Sequence, residues 1–268
     1  MVTYVVNAQD AGGNAKQTTT TTTIDSTSKT IIEEPLKIEN QHFSWLLAVG
    51  LMGGFPQGEF KSNIPRFIPL GFDIYAGYSP LQIVPFAFGL DVSTTNYGNE
   101  NKKQILLDNT SVKEVNVQVT NSILNVHSFI RLQPDMGYIS PYIEALIGVN
   151  HLYTTSETWY KGKLVKDSPY DVSSDFNNNA LCYGPGIGLS VKQFSLREKM
   201  SNGKIIGYED AVYFDVRLRY LFGGRIQYLK QEGVTTYIDL NGDYITIYKP
   251  SESGTDMIYL LFGLSFKF

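Results

Sequence analysis

Asp215, Arg217 and Arg219 stand two residues apart, so on an extended chain all three side chains leave the same face. Asp73, Asp91, Arg131, Glu144, Lys192 and Lys267 hold the matching phase in other stretches of alternating apolar residues. Four carboxylates against five cations nearly cancel. Enclosed by a fold, such a set must pair or stay hydrated, because an isolated buried charge costs several kcal/mol. It could fix a narrow interior by ion pairing, or line a gated ion path. Nucleophilic chemistry is less promising. His127 and Ser128 are adjacent, with Glu144 within reach on a neighbouring segment, but adjacency on a strand sends them to opposite faces and breaks any Ser–His–carboxylate relay. His42 and His151 show no metal-ligand spacing, and the lone Cys182 allows neither an intrachain disulfide nor a cysteine-based metal site. Gly184-Pro-Gly-Ile-Gly188 alternates without a following helix, so it reads as close interior packing and not as a phosphate loop. Asp239-Leu-Asn-Gly-Asp243 carries an Asn-Gly hairpin signal and too few spaced carboxylates for a calcium loop. No catalytic residue, metal or cofactor is expected.

The elements that must position these charges are strands. Period-two alternation predicts eight of them: Phe43–Gly53, Phe67–Tyr78, Ile83–Thr95, Val112–Leu132, Tyr142–Tyr160, Leu181–Lys192, Ala211–Lys230 and Met257–Phe268. In the last, Ile258, Leu260, Phe262, Leu264, Phe266 and Phe268 form one bulky apolar row. Phe214, Val216, Leu218 and Tyr220 do the same opposite Asp215, Arg217 and Arg219. The upper half of the fourth segment (Val115, Val117, Val119) is out of phase with Leu124, Val126, Ile130 and Leu132, which predicts a bulge near Asn121. The gaps alternate long and short, except that Gln193–Asp210 is longer than a tight turn.

Composition decides which face meets what. Hydrophobic residues are 43% of the chain and mean hydropathy is −0.13, with no run approaching a membrane helix. A net charge of −4 and the lack of a basic run with interleaved aromatics exclude a nucleic-acid partner. A soluble eight-stranded barrel would turn its bulky rows inward and its charges outward. Here the charge-bearing face also holds the glycines and small residues, while the opposite face is continuously bulky; that arrangement suits a lumen and a hydrocarbon-facing wall. With 18 Tyr and 15 Phe the chain is also rich in the residues that suit membrane interfaces. The expected fold is all-β, an antiparallel eight-stranded transmembrane β-barrel. The expected organisation is a barrel over residues 42–268, a disordered Thr-rich periplasmic tail over 9–41, and over 1–8 a candidate remnant of a signal peptide cleaved near Ala8 and Gln9. An eight-stranded lumen is only wide enough for its own side chains, so the interior charges are expected to be structural.

The closing row ending on Phe268 resembles the terminal strand of bacterial outer-membrane barrels. Residues 42–268 as a whole resemble the OmpA transmembrane domain and OmpX group. The loops, rich in Lys, Asn, Thr and Tyr, are similar to those of the outer-membrane and PorT-like barrels of Bacteroidota. The resemblance implies an outer-membrane location in a Gram-negative bacterium, with lipid, lipopolysaccharide and the barrel-insertion machinery as partners. It also implies that Phe262, Leu264, Phe266 and Phe268 act as an insertion signal. Small lipid-A-deacylating barrels hold their His and Ser one residue apart, and the adjacency of His127 and Ser128 departs from that pattern. The expected function is non-enzymatic: a protein with four surface loops, serving as an accessory or interaction subunit of a secretion or uptake assembly with other outer-membrane or periplasmic proteins. A narrow solute or ion channel is the alternative, and a lipid-modifying enzyme a more remote one.

Overall fold

The computed structural model describes residues 45–268 except 65–67, 81–84, 109–110, 135–137, 166–176, 202–203 and 239–243. The expected signal remnant and Thr-rich tail lie outside the described residues. In chain order the elements are β1 (Trp45–Pro56), α1 (Gly58–Asn63), β2 (Ile68–Tyr78), β3 (Phe86–Asp108), β4 (Ser111–Leu132), β5 (Ile139–Tyr160), β6 (Lys163–Leu164), β7 (Asn177–Ser201), β8 (Lys204–Gly223), β9 (Arg225–Ile238), β10 (Tyr244–Gly254) and β11 (Met257–Lys267). Eight of the strands pair in the order β4-β3-β2-β1-β11-β8-β7-β5, and β4 pairs back onto β5. Every one of these pairings is antiparallel, so the sheet closes on itself and leaves no open edge around the ring. The eight-stranded barrel expected from alternation is the fold observed.

β1 starts and β11 finishes at one end, the terminal end. At the other, the loop end, lie α1, the tip of the β3–β4 hairpin, the β5–β7 connection and the β9–β10 hairpin. Three expected features differ in detail. Asn96–Ser111 is not a loop: β3 runs on to Asp108 and pairs with β4 as far as Ser111, so the hairpin rises beyond the ring. Gln193–Asp210 is likewise the paired continuation of β7 and β8, with Ser201 opposite Lys204. The seventh predicted strand breaks at Gly224, where β9 leaves the barrel.

The change of phase in β4 is not a bulge in that strand. From Val115 to Arg131 the odd-numbered residues face inward without interruption, and pairing with β5 is unbroken from Asn116 to Leu132. The register slips in the neighbour, where Tyr97 of β3 is the extra residue between Asn96 and Gly98, across from Ser122 and Asn121. What changes at this level is the chemistry of the interior. Val115, Val117 and Val119 point in because β9 lies over them, and they pack against Leu229 and Val234.

The β9–β10 hairpin leans across the mouth, with β9 touching β3, β4, β5 and β7. Phe60 of α1 is fully buried between Tyr228 (ring centroids 5.2 Å) and Tyr97 (6.1 Å). The Tyr97 hydroxyl donates to the Leu229 carbonyl at 2.9 Å, and Lys102 Nζ to the Val234 carbonyl at 2.8 Å. Asn63 donates to the Tyr228 hydroxyl at 2.9 Å, which also shares a hydrogen bond with Ser253. Burial raises both phenols above their ordinary range, so both keep their protons. At the far tip, Lys161 (φ 46°) and Gly162 (φ 77°) form the positive-φ pair of a two-residue hairpin turn joining β5 to β6.

Candidate functional site

The lumen is assembled by parity. Register places Asp73 of β2, Asp91 of β3, Arg131 of β4, Glu144 of β5 and Asp215, Arg217 and Arg219 of β8 on the inward face. All seven are buried, Asp91, Arg131 and Asp215 completely. Arg219 is the hub: Nε meets Glu144 Oε1 at 2.6 Å and Nη1 meets Asp91 Oδ2 at 2.8 Å. Arg131 takes the other Glu144 oxygen, with Nη2 at 2.8 Å and Nε at 3.1 Å, and donates to the Tyr75 hydroxyl at 3.0 Å. Arg217 pairs with Asp73 and, through Nε, with Asp215 Oδ2 at 3.0 Å. Asp215 also accepts from Tyr142 (2.9 Å) and Ser190 (2.7 Å).

Aromatic faces complete the packing. The Arg131 guanidinium lies 4.0 Å from the Tyr142 ring centroid and that of Arg217 4.3 Å from Tyr75. Room for Tyr142 comes from β7. A Cβ at Gly188 would collide with the Tyr142 ring, and one at Gly186 would press on Glu144 and Arg219. The Gly-Pro-Gly stretch is therefore the bare wall against which the ion pairs lie.

Above this layer, His127 Nδ1 sits 3.6 Å from Asp91 Oδ1, and Nε2 is 3.1 Å from Cys182 Sγ. The Cys182 thiol donates to Asn150 Oδ1 at 2.9 Å, and Asn125 donates to Ser93 at 3.1 Å. Sequence reasoning gave Tyr75, Tyr142, His127 and Cys182 no part in the ion pairing; all four share the strand phase of the inward charges, and that phase was the available signal. Lys192 and Lys267 sit half-buried nearer the terminal end, where the Lys267 ammonium lies 4.3 Å from the Tyr213 ring centroid. Ser128 is exposed on the outer wall while His127 is buried inside, so the two do not meet. Among the described residues no group of three or more His, Cys, Asp or Glu is placed to hold a metal ion.

The outer wall is the chemical inverse. Leu70, Phe72 and Ile74 on β2, Phe88, Leu90 and Val92 on β3, and Ile143 and Ile147 on β5 are all exposed. Phe262 and Leu218 are each 44% exposed, so the bulky rows face outward. Phe262, Leu264 and Phe268 are exposed along the same flank. On each strand the row runs about ten residues, the length needed to cross a bilayer at a tilt, and among the described residues none carries an Asp, Glu, Lys or Arg side chain. Aromatics gather at both rims: Trp45 on Tyr78 (5.0 Å) and Tyr78 by Phe88 at the terminal end, Tyr220 on Phe222 (4.7 Å) and Tyr183 by Phe222 at the loop end. A buried ionic interior inside a charge-free apolar wall is a lipid-facing design.

The chain is a transmembrane β-barrel.

No family model matches it, and no curated protein matches its sequence. Among solved structures it is similar to Neisserial surface protein A, at 10% identity and a TM-score of 0.41, over 83% of this chain and 95% of that one. It is also similar to Ail, the attachment invasion locus protein of Yersinia pestis, at 10% identity and a TM-score of 0.28, over 84% and 97% of the two chains. At that level no residue role carries across.

Proposed function

We propose that the protein is a non-enzymatic outer-membrane barrel of a Gram-negative bacterium, closed to solutes, whose loop end faces outward and serves as a contact surface for other envelope proteins. In this reading it is an accessory or interaction subunit of a secretion or uptake assembly. The observation that carries it is the filled lumen: three guanidiniums, four carboxylates and their aromatic neighbours occupy the bore. The capped mouth lies above them, so the surfaces left for function are the loops and the wall. The outward row Phe262, Leu264, Phe266 and Phe268, with Phe266 half-buried, is the part offered to the insertion machinery. Separation of Ser128 from His127 by the wall supports the non-enzymatic reading, and an unchanged lipid A profile in cells carrying Ser128→Ala would agree with it.

Extraction in mild detergent followed by affinity capture tests the accessory role. A companion recovered in fixed ratio is expected, and a monomer without companions even after cross-linking would remove that role. Reconstitution in planar bilayers tests closure, with conductance at the leak level expected. Discrete openings that change in Arg217→Ala would replace this reading with a channel.

A further inference from the structure

Immediately above the apolar belt, the outer face of β3, β4, β5 and β7 changes character. Asn96, His151, Tyr153, Asn177 and Asn179 project outward there, continuing the rows that end below in Val92, Val149 and Leu181. The same face continues upward through Asn99, Asn101, Asn116 and Thr120. On this outer face, among the described residues, no carboxylate, ammonium or guanidinium appears until Lys103, Glu114 and Glu157; Glu100 and Lys102 of β3 point to the other face. The opposite side of the mouth is different, for Arg225 there pairs with Glu59 at 3.3 Å and Glu252 at 3.2 Å.

The neutral face is also organised. The His151 and Tyr153 rings stack at 5.4 Å and 23°, and His151 Nδ1 lies 2.8 Å from Asn179 Oδ1. A stacked ring pair ringed by carboxamides offers flat apolar area together with donors and acceptors at fixed spacing. That combination suits a ligand with many hydroxyls and apolar C–H faces. The described part of this outer face carries no Lys or Arg at this level, a poor match for phosphate, which Arg and Lys recognise. The face is continuous with the lipid-facing wall, so its occupant must be anchored in the same leaflet.

We propose that this face binds the saccharide headgroups of glycolipids in the outer leaflet, using the His151–Tyr153 stack as platform and Asn177 and Asn179 as hydrogen-bonding partners. The inference rests on the loop end facing outward from a membrane-inserted barrel, as proposed above. The test uses the full chain reconstituted in phosphatidylcholine vesicles containing digalactosyl diacylglycerol, then extracted in mild detergent, with the co-eluting lipids weighed by mass spectrometry. The wild type is expected to retain the galactolipid above its bulk fraction. Tyr153→Ala with Asn179→Ala should lower that retention by roughly fivefold, equivalent to about 1 kcal/mol, while Tyr153→Phe keeps the platform and the enrichment. Wild-type retention at the bulk fraction overturns the proposal, as does undiminished enrichment in both Asn179→Ala and the double variant. So does preferential retention of phosphatidylglycerol when it replaces the galactolipid. Flotation with pure phosphatidylcholine vesicles separates the two readings: failure to float removes the membrane barrel itself, whereas flotation without galactolipid enrichment removes only the saccharide site.

Discussion

Arg219 shows what the interior demands of a single residue. It bonds Glu144 and Asp91 at once, so its loss leaves four carboxylates to share two guanidiniums in a space that excludes bulk water. Arg219→Met is expected to destabilise the barrel by about 3–5 kcal/mol, the cost of breaking a buried pair, measured by urea unfolding in vesicles. Adding Asp91→Asn should recover part of the loss, because Asp91 has its shortest ion pair with Arg219 and the change removes one carboxylate from the surplus. If Arg219→Met cost no more than a surface substitution, the lumen would have to be hydrated rather than packed. Lys267 makes the contrast. Its ammonium sits over Tyr213 near the terminal end, and Lys267→Ala should cost less than about 1 kcal/mol, as for an exposed cation–π contact.

At the scale of the strand, three substitutions probe the two faces, two on the outer wall and one inside. Leu218→Lys puts a charge mid-row on the outer wall of β8 and should cost about 2–4 kcal/mol, whereas Ile139→Lys at the terminal rim of β5 should cost about 0–1 kcal/mol. Equal effects at both sites in vesicles would contradict a hydrocarbon belt with defined limits. Inside, Gly188→Val takes the space of the Tyr142 ring and should cost about 1–3 kcal/mol as overpacking. Near-ultraviolet dichroism would report the displaced tyrosine. The strands were legible in the sequence because one face of each is uniformly bulky; the eight segments needed only adjustment at their ends. The hairpin extensions were not legible. Once a strand leaves the belt its outer face turns polar, and residues such as Asn99 and Asn101 read like loop. The valines of upper β4 misled for a related reason: they are packed inward under β9, a contact that only the folded-back hairpin creates. For the lumen, phase told which residues face in but not which pair, since Arg219, Asp91 and Glu144 come from three strands whose register no single segment encodes.

As a whole, the molecule is two cores stacked end to end. The lower is ionic and sits within the belt; the upper is apolar, built from Phe60, Tyr97, Tyr228 and their neighbours beneath the β9–β10 hairpin. Closure therefore has two layers, and removing one should not open the other. Deleting residues 226–253 is expected to weaken the fold while bilayer conductance stays at the leak level, because the Arg–carboxylate layer still fills the bore. Conductance appearing in that deletion would make the hairpin the sole seal. Because the β9–β10 hairpin shares a core with α1 and β3, added sequence within those elements would disturb packing. The Lys161–Gly162 turn has room: a side chain built at Gly162 would meet nothing within 4 Å. A short epitope spliced there should be displayed without disturbing assembly, giving an antibody handle for asking which way the protein points in an intact cell.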